Sequence, residues 1–178
     1  MRSNCRSVSF RFANAVFYVD KTTGKVLWKL GGSPVNKDGA TPIQVVNDPE
    51  GTFSLQHDAR FLPNGDVTLF DDHGGSPGVA RGVEYALDMT TDTATVVWQF
   101  LGTVQSQYEG SFRRDPDGDS VIGWGGDAPS LRILTEVDPN GNDVFDISFT
   151  TPTSPYRGTK VPLTTLDINL LRLTAAQW

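Results

Sequence analysis

Five pairs of short, strand-like runs occupy most of the sequence, and a turn rich in Asp, Asn and Gly joins the two runs of each pair. The runs lie at 17–19 and 25–30, 60–62 and 66–70, 83–88 and 94–100, 111–113 and 120–124, and 134–138 and 143–147. β-Branched and aromatic runs on either side of a glycine-bearing turn are typical of β-hairpins. The pattern therefore predicts an all-β fold.

The composition agrees with this fold and limits the partners. The chain has 17 Asp but 4 Glu, and 18 Thr and 17 Val beside 10 Ala. Asp favours turns, whereas Thr and Val favour strands. A net charge of −6 provides no broad basic surface, so we expect neither nucleic acid nor membrane as a partner. One cysteine excludes an internal disulfide, and with two histidines we expect no zinc cluster.

The hairpins recur at a spacing that is typical of a propeller. Asp20, Asp88 and Asp138 each end the first strand of a hairpin, at spacings of 68 (88 − 20) and 50 (138 − 88) residues. The second spacing suits one four-stranded blade, and the first is lengthened by a Gly- and Pro-rich insertion at 31–51, which we expect to be a loop. The sequence thus predicts a partial β-propeller of roughly three to four four-stranded antiparallel blades, since ring closure takes at least four. We expect Trp28, Trp98 and Trp124 to pack between blades.

The chain divides into propeller blades at 1–163 and an atypical tail at 164–178. In the tail, Leu166, Leu170 and Leu173 follow helical spacing, which predicts either a short terminal helix or sequence outside the fold. The first ten residues hold no apolar stretch of signal-peptide length, although a truncated copy of an exported protein would look the same.

Both histidines permit a chemical and a structural interpretation. His57 stands beside Asp58 and near Arg60, so it could transfer protons or donate to an anion, or it could be a strand histidine bonded to a backbone carbonyl. His73 follows two aspartates in a turn, where we expect it to be solvated. Arg81 and Arg157 are either surface arginines or planar donors for an oxyanion.

An acidic loop at 115–120 has two interpretations as well. Its alternating carboxylates suit Ca²⁺, but an Asp-Gly hairpin turn explains the same residues. The sequence contains no dinucleotide fingerprint, P-loop or paired-cysteine motif. We therefore expect no cofactor and no metal.

An ordered series of motifs resembles one known family. The run YVDKTTGKVLWKLGG at 18–32 and the run QHDARFLPNG at 56–65 are followed by 69–71 and 80–81, and then by 110–111, 118, 122–125 and 156–157. This series, over about residues 8–162, resembles the arylsulfotransferase (arylsulfate sulfotransferase) propellers. The resemblance implies a six-bladed parent fold, and an exported (secreted or periplasmic) enzyme. Such an enzyme moves a sulfuryl group from a phenolic sulfate ester to a phenol through a sulfated histidine.

The resemblance also implies site residues. His57 matches the family's Gln-His motif and is expected to donate to sulfate oxygens, and Arg81 matches the arginine before the next strand. Gln56, Asp58 and Arg157 are expected to contact the substrate. No histidine follows His73, so the expected nucleophile is missing and the chain is predicted to be incomplete or inactive by itself.

Three functions follow as hypotheses. The first is an arylsulfotransferase-like segment that takes an aryl sulfate and a phenol acceptor. The second is a non-catalytic propeller module of quinoprotein-repeat type, although the Thr-Gly turn of such repeats occurs once here, at Thr23-Gly24. The third is a degenerate remnant. Open blade edges predict self-association of the chain.

Overall fold

Twelve β-strands make up most of the computed structural model, which describes residues 4–34, 37–73, 78–103, 106–126, 131–151 and 153–175. Among these residues the strands are β1 (Cys5–Phe10), β2 (Ala15–Asp20), β3 (Val26–Gly31), β4 (Thr41–Val46), β5 (His57–Phe61), β6 (Val67–Asp71), β7 (Arg81–Asp88), β8 (Thr93–Leu101), β9 (Ser111–Arg114), β10 (Ser120–Gly123), β11 (Arg132–Val137) and β12 (Asp143–Ser148). All five predicted hairpins are present, and the all-β, partial-propeller prediction is confirmed.

The strands form two sheets that contain three blades. One sheet has the order β1-β2-β3-β4-β8-β7-β6-β5, and the other has the order β12-β11-β10-β9. Blade I is β1-β2-β3, blade II is β5-β6-β7-β8 and blade III is β9-β10-β11-β12, with antiparallel neighbours within each blade.

The strand β4 corrects one expectation from the sequence. Residues 31–51 were expected to be a loop, but Thr41–Val46 is a strand that pairs in parallel with β3 on one side and with β8 on the other. Its run of Ile43, Val45 and Val46 fits a pleated surface, and Ile43 is buried in the core. β4 thereby joins blades I and II along their outer strands.

Aspartate-capped turns show which strands of the blades correspond. The Asp20 carboxylate accepts the N–H of Thr22, and Asp88 does the same for Thr90 and Asp138 for Asn140. Such turns stabilise the hairpin locally. Because they join β2 to β3, β7 to β8 and β11 to β12, the strand β1 corresponds to β6 and β10. Blade I therefore has, among the described residues, no counterpart of the inner strands β5 and β9.

Two apolar clusters hold the blades together. Between blades I and II, Tyr18 and Trp28 of blade I stack on each other at 5.0 Å between ring centroids, and both pack edge-on against Phe61 of β5. Between blades II and III, Trp98 stacks on Phe112 at 5.1 Å. In the same cluster Trp124 is buried, and its indole N–H donates to Thr135 at 2.7 Å. All three tryptophans thus lie in the packing between strands and blades, as the sequence predicted.

The tail folds in part as a helix, α1 (Ile168–Ala175), which agrees with the helical alternative. No helix among the described residues is long and apolar enough to cross a membrane.

Candidate anion-binding site around His57

Four segments meet around His57, at one end of blades I to III. His57 begins β5 and lies opposite Phe70 in β6. Asp72 directly follows β6, and Glu109 lies two residues before β9. Arg11 comes from the short 3₁₀ turn Arg11–Ala13 that joins β1 to β2. Strand ends and the connections between them therefore supply the site.

Donors from two of these segments converge on His57 Nε2. The Arg11 Nε–H donates to it at 3.1 Å, and the backbone N–H of Glu109 donates to it at 3.1 Å. The Asp72 Oδ2 atom lies 3.4 Å from the same nitrogen and 3.2 Å from Arg11 Nη2. Arg11 also donates to the Gln107 carbonyl. The imidazole remains partly open, with its side chain 24% exposed.

His57 Nε2 has two mutually exclusive roles. Without a proton it accepts from Arg11 and Glu109; with one, it donates to Asp72 or to another anion. Burial raises the pKa of the Asp72 carboxyl, and the hydrogen bonds and charges of His57 and Arg11 offset this only in part. The Asp72 Oδ1 atom is buried without a hydrogen-bond partner among the described residues. The Asp72 carboxyl therefore holds a proton more readily than an exposed aspartate does, and its Oδ2 lies 3.4 Å from His57 Nε2.

The backbone around the site is held in an uncommon conformation. Glu109 has φ +70° and Asp58 has φ +51°, in the left-handed region that non-glycine residues rarely adopt. Gly110 follows with φ +92°, and a Cβ there would lie 2.3 Å from the Phe70 ring. Backbone strain of this kind persists only where the surrounding packing imposes it, and it is concentrated at functional sites.

Arg81 lies beside this cluster but in a closed network. It is 0% exposed, and its Nε–H donates to Asp71 at 3.0 Å. Nη1 donates to Asp48 and Gln99 at 2.8 and 2.7 Å, and Nη2 donates to Asp48 and the Gly51 carbonyl, both at 2.9 Å. These contacts use the five N–H groups of a guanidinium. Arg81 has no donor left for a substrate unless one of these bonds breaks.

The ionisation of this network is fixed. Burial would lower the pKa of Arg81, but the hydrogen bonds and charge of Asp48 outweigh it and hold the pKa above its ordinary value. Burial opposes ionisation of Asp48 too, yet hydrogen bonds from Arg81 and Tyr85 hold its pKa below the ordinary value. Burial also raises the pKa of the Tyr85 hydroxyl, which donates to Asp48 at 2.7 Å.

Gln56 and Asp58, the neighbours of His57, face other partners. The buried Gln56 amide donates to Ser9 Oγ and to the Ala15 carbonyl, so it links blade II to blade I. Asp58 pairs with Arg113 of β9 at 2.7 Å and with Arg60 at 3.0 Å. Neither side chain has a described contact with the His57 cluster.

Arg157 and His73 complete the residues singled out in the sequence. Arg157 is exposed, lies over the Tyr156 ring at 5.3 Å and lines a cavity between β1 and β5; His57 is not among the residues that line this cavity. The expectation of a solvated His73 is wrong, because this side chain is 8% exposed and its Nδ1 lies 3.5 Å from Asp71. Packing against Gly78 covers its ring.

Sequence reasoning missed three contributors to the site: Arg11, Asp72 and Glu109. Arg11 lies in a short turn with no motif of its own, and the Glu109 contribution comes from its backbone. Asp72 was visible in the acidic pair Asp71-Asp72. The structure separates that pair: Asp71 binds Arg81, whereas Asp72 faces His57.

The acidic loop before β10 is occupied by a lysine. Lys160 Nζ lies 2.5 Å from Glu136 and 3.4 Å from Asp119, with Asp117 at 3.6 Å. No group of three His, Cys, Asp or Glu residues in the described chain has the geometry to hold a metal ion.

Three antiparallel blades, with a cluster of hydrogen-bond donors around His57 at one end of their strands, define a partial β-propeller. The protein-family comparison gives the particular family. The arylsulfotransferase (ASST) family matches residues 7–150, and the chain belongs to that family. No curated protein matches the chain.

Proposed function

We propose that the cluster around His57 binds the sulfuryl group of an aryl sulfate, as the anion-binding part of an arylsulfotransferase site. The observation that carries this proposal is the convergence of Arg11 and the Glu109 N–H on one ring nitrogen at 3.1 Å each. Donors that are fixed in place before a ligand arrives stabilise developing oxyanion charge without reorganisation. Membership of the arylsulfotransferase family supports the choice of a sulfate ester.

In this proposal each group has a separate task. The Arg11 guanidinium and the Glu109 N–H donate to sulfuryl oxygens, and His57 donates a third hydrogen bond once Nε2 carries a proton. Asp72 Oδ2 lies 3.4 Å from that nitrogen and 3.2 Å from Arg11 Nη2, so it orients the Arg11 guanidinium beside the imidazole. Arg81 does not touch the substrate; it holds the start of β7 and the end of β6, next to Asp72.

We further propose that the chain alone does not complete the covalent route. In that route, an N–S bond forms on a histidine while the bond from sulfur to the phenolic oxygen breaks, and the phenolate takes a proton. The only histidine besides His57 is His73, which is buried against Asp71. With no second exposed imidazole to accept the sulfuryl group, the bound ester is expected to remain intact.

A binding measurement tests the first proposal. Titration of the chain with 4-nitrophenyl sulfate by calorimetry should give saturable binding that inorganic sulfate competes away. His57→Gln should weaken it, whereas Arg172→Gln, a charge removed from α1, should leave it unchanged. Equal loss in both variants, or binding of the parent phenol with the same affinity, would contradict the proposal.

A turnover measurement tests the second proposal. The chain is incubated with the ester and an acceptor phenol, and release of nitrophenol is followed. We expect no release above the uncatalysed rate. Saturable, acceptor-dependent release that His73→Ala abolishes would show that the nucleophile is present, and loss with His57→Ala alone would give His57 that role.

A further inference from the structure

One edge of blade I has no partner strand among the described residues. In blades II and III an inner strand, β5 or β9, pairs with the strand that corresponds to β1. In blade I, β1 pairs with β2 on one side, and no described strand pairs with its other side. Edge strands of this kind present a row of backbone donors and acceptors to which another strand can add.

The register identifies the backbone groups that face this edge. The Lys21 N–H donates to the Asn4 carbonyl at 2.8 Å, so these two residues form a hydrogen-bonded pair. In an antiparallel ladder every second residue bonds to the same neighbour. Hence Arg6, Val8 and Phe10 bond towards β2, whereas the backbones of Cys5, Ser7 and Ser9 face outward.

A cavity lies beside the edge, where an inner strand of blade I would run. It has a volume of about 660 Å³ and is bordered by β1 on one side and by residues 58–61 of β5 on the other. β5 and β9 are five and four residues long. The site therefore resembles the position of a short strand rather than a closed ligand pocket.

The charge of the cavity indicates what would fill it. Arg6, Arg60 and Arg157 line it beside one carboxylate, Asp58. Asp58 is already shared by Arg60 and by Arg113 of β9. No carboxylate of the described residues forms an ion pair with Arg6 or Arg157. The cavity thus carries an excess of positive charge.

The interface of blades II and III shows how such charge is balanced elsewhere. There the acidic side chain of one inner strand meets the basic side chain of the next: Asp58 of β5 binds Arg113 of β9 at 2.7 Å. At the equivalent place between blades I and II, β5 presents Arg60, and no described residue of blade I supplies it with a carboxylate.

We propose that the outer edge of β1 binds an extended acidic segment of polypeptide as an added strand. Its backbone pairs with Ser7 and Ser9, and its carboxylates face Arg6, Arg60 and Arg157. Main-chain hydrogen bonds provide the affinity in this mode of recognition, and alternate side chains provide the specificity.

The probe is a fluorescent hexapeptide of alternating glutamate and threonine, titrated with the full chain and followed by anisotropy. We expect saturable binding that weakens with added salt, and no binding of the peptide with lysine for glutamate. Arg6→Gln and Arg60→Gln should each weaken binding about twofold to fivefold, as expected for exposed ion pairs. Arg172→Gln, remote on α1, should leave binding unchanged. No binding, or equal binding of the lysine peptide, overturns the proposal.

Backbone methylation separates strand addition from simple charge attraction. An added strand bonds to β1 through every second residue, so N-methyl groups at one set of alternate positions should abolish binding, and at the other set should not. Binding should also slow amide hydrogen exchange at Ser7 and Ser9 but not at Val8. If both methylated peptides bind equally, strand addition is wrong. A dimer of the chain that the peptide does not dissociate would show that a second copy occupies the edge, which also overturns it.

Discussion

Two arginines at the same end of the propeller are used in opposite ways. Arg81 is fully buried, and five acceptors take its N–H groups. Arg11 is partly exposed, at 22% of its side chain, and shares His57 Nε2 with a second donor. Adjacent residues supply carboxylates to both: Asp71 to Arg81 and Asp72 to Arg11. In the Arg81 network every N–H group of the arginine has an acceptor, which stabilises one arrangement. In the His57 cluster two donors compete for one nitrogen and Asp72 Oδ1 has no described partner, so these groups can exchange partners for a ligand.

Removal of Arg81 should lower the free energy of unfolding more than any other substitution in this series. Arg81→Met leaves Asp48 and Asp71 buried without their cation, and loss of one partner of a buried ion pair costs about 3–5 kcal/mol. We expect that decrease in the free energy of unfolding, measured with urea. The control Arg60→Met removes an exposed pair and should cost about 0–1 kcal/mol. Equal losses in the two variants would contradict a structural role for Arg81.

Removal of Arg11 should affect ligand binding more than stability. A hydrogen bond to a charged group contributes about 1.5–3 kcal/mol, so Arg11→Met should weaken binding of 4-nitrophenyl sulfate roughly 10- to 100-fold. Because Arg11 is partly exposed, we expect Arg11→Met to lower the free energy of unfolding by less than Arg81→Met does. Calorimetric titration and urea unfolding on the same variant check both numbers. A variant that binds normally but is strongly destabilised would reverse the roles of the two arginines.

Loss of the Tyr85 hydroxyl from the Arg81 network should have a smaller effect on stability than loss of Arg81. Tyr85→Phe removes the hydroxyl that donates to Asp48 at 2.7 Å and leaves the ring packing in place. A hydrogen bond to a charged carboxylate contributes about 1.5–3 kcal/mol to folding. Tyr156→Phe, at an exposed ring, is the matched control and should be neutral. An unfolding free energy unchanged in Tyr85→Phe would mean that the network is not as tightly coupled as its geometry indicates.

The sequence predicted the hairpins because local chemistry determines them: Asp20, Asp88 and Asp138 cap turns by contacts within a few residues. It did not predict β4, since parallel pairing with β3 and β8 depends on partners distant in the chain. His57 could be identified by its motif. Arg11 could not be, because its partner His57 lies 46 residues away.

Asp48 of the Arg81 network and Asp72 of the His57 cluster should make stability depend on pH in opposite directions. The pKa of Asp48 is lowered by Arg81 and Tyr85 against the effect of burial, so its contribution to stability is present above its ordinary value of 3.8. That contribution is lost as the pH falls through the lowered pKa. Asp48→Asn should therefore bring the largest loss of stability, relative to the parent chain, above pH 3.8.

Asp72 should show the opposite slope, and we expect it to be the smallest effect of the series. Because burial raises its pKa above 3.8, the folded chain holds this proton more tightly than the unfolded chain. Stability then falls as the pH rises from 3.8 through the raised pKa. Asp72→Asn keeps a neutral polar group and removes this dependence, so its stability relative to the parent chain should increase over that window. The measurement is urea unfolding at a series of pH values on either side of 3.8. It gives the dependence of stability on pH for the parent chain, Asp48→Asn and Asp72→Asn. Parallel curves for the two variants would show that the His57 cluster is as fixed in charge as the Arg81 network.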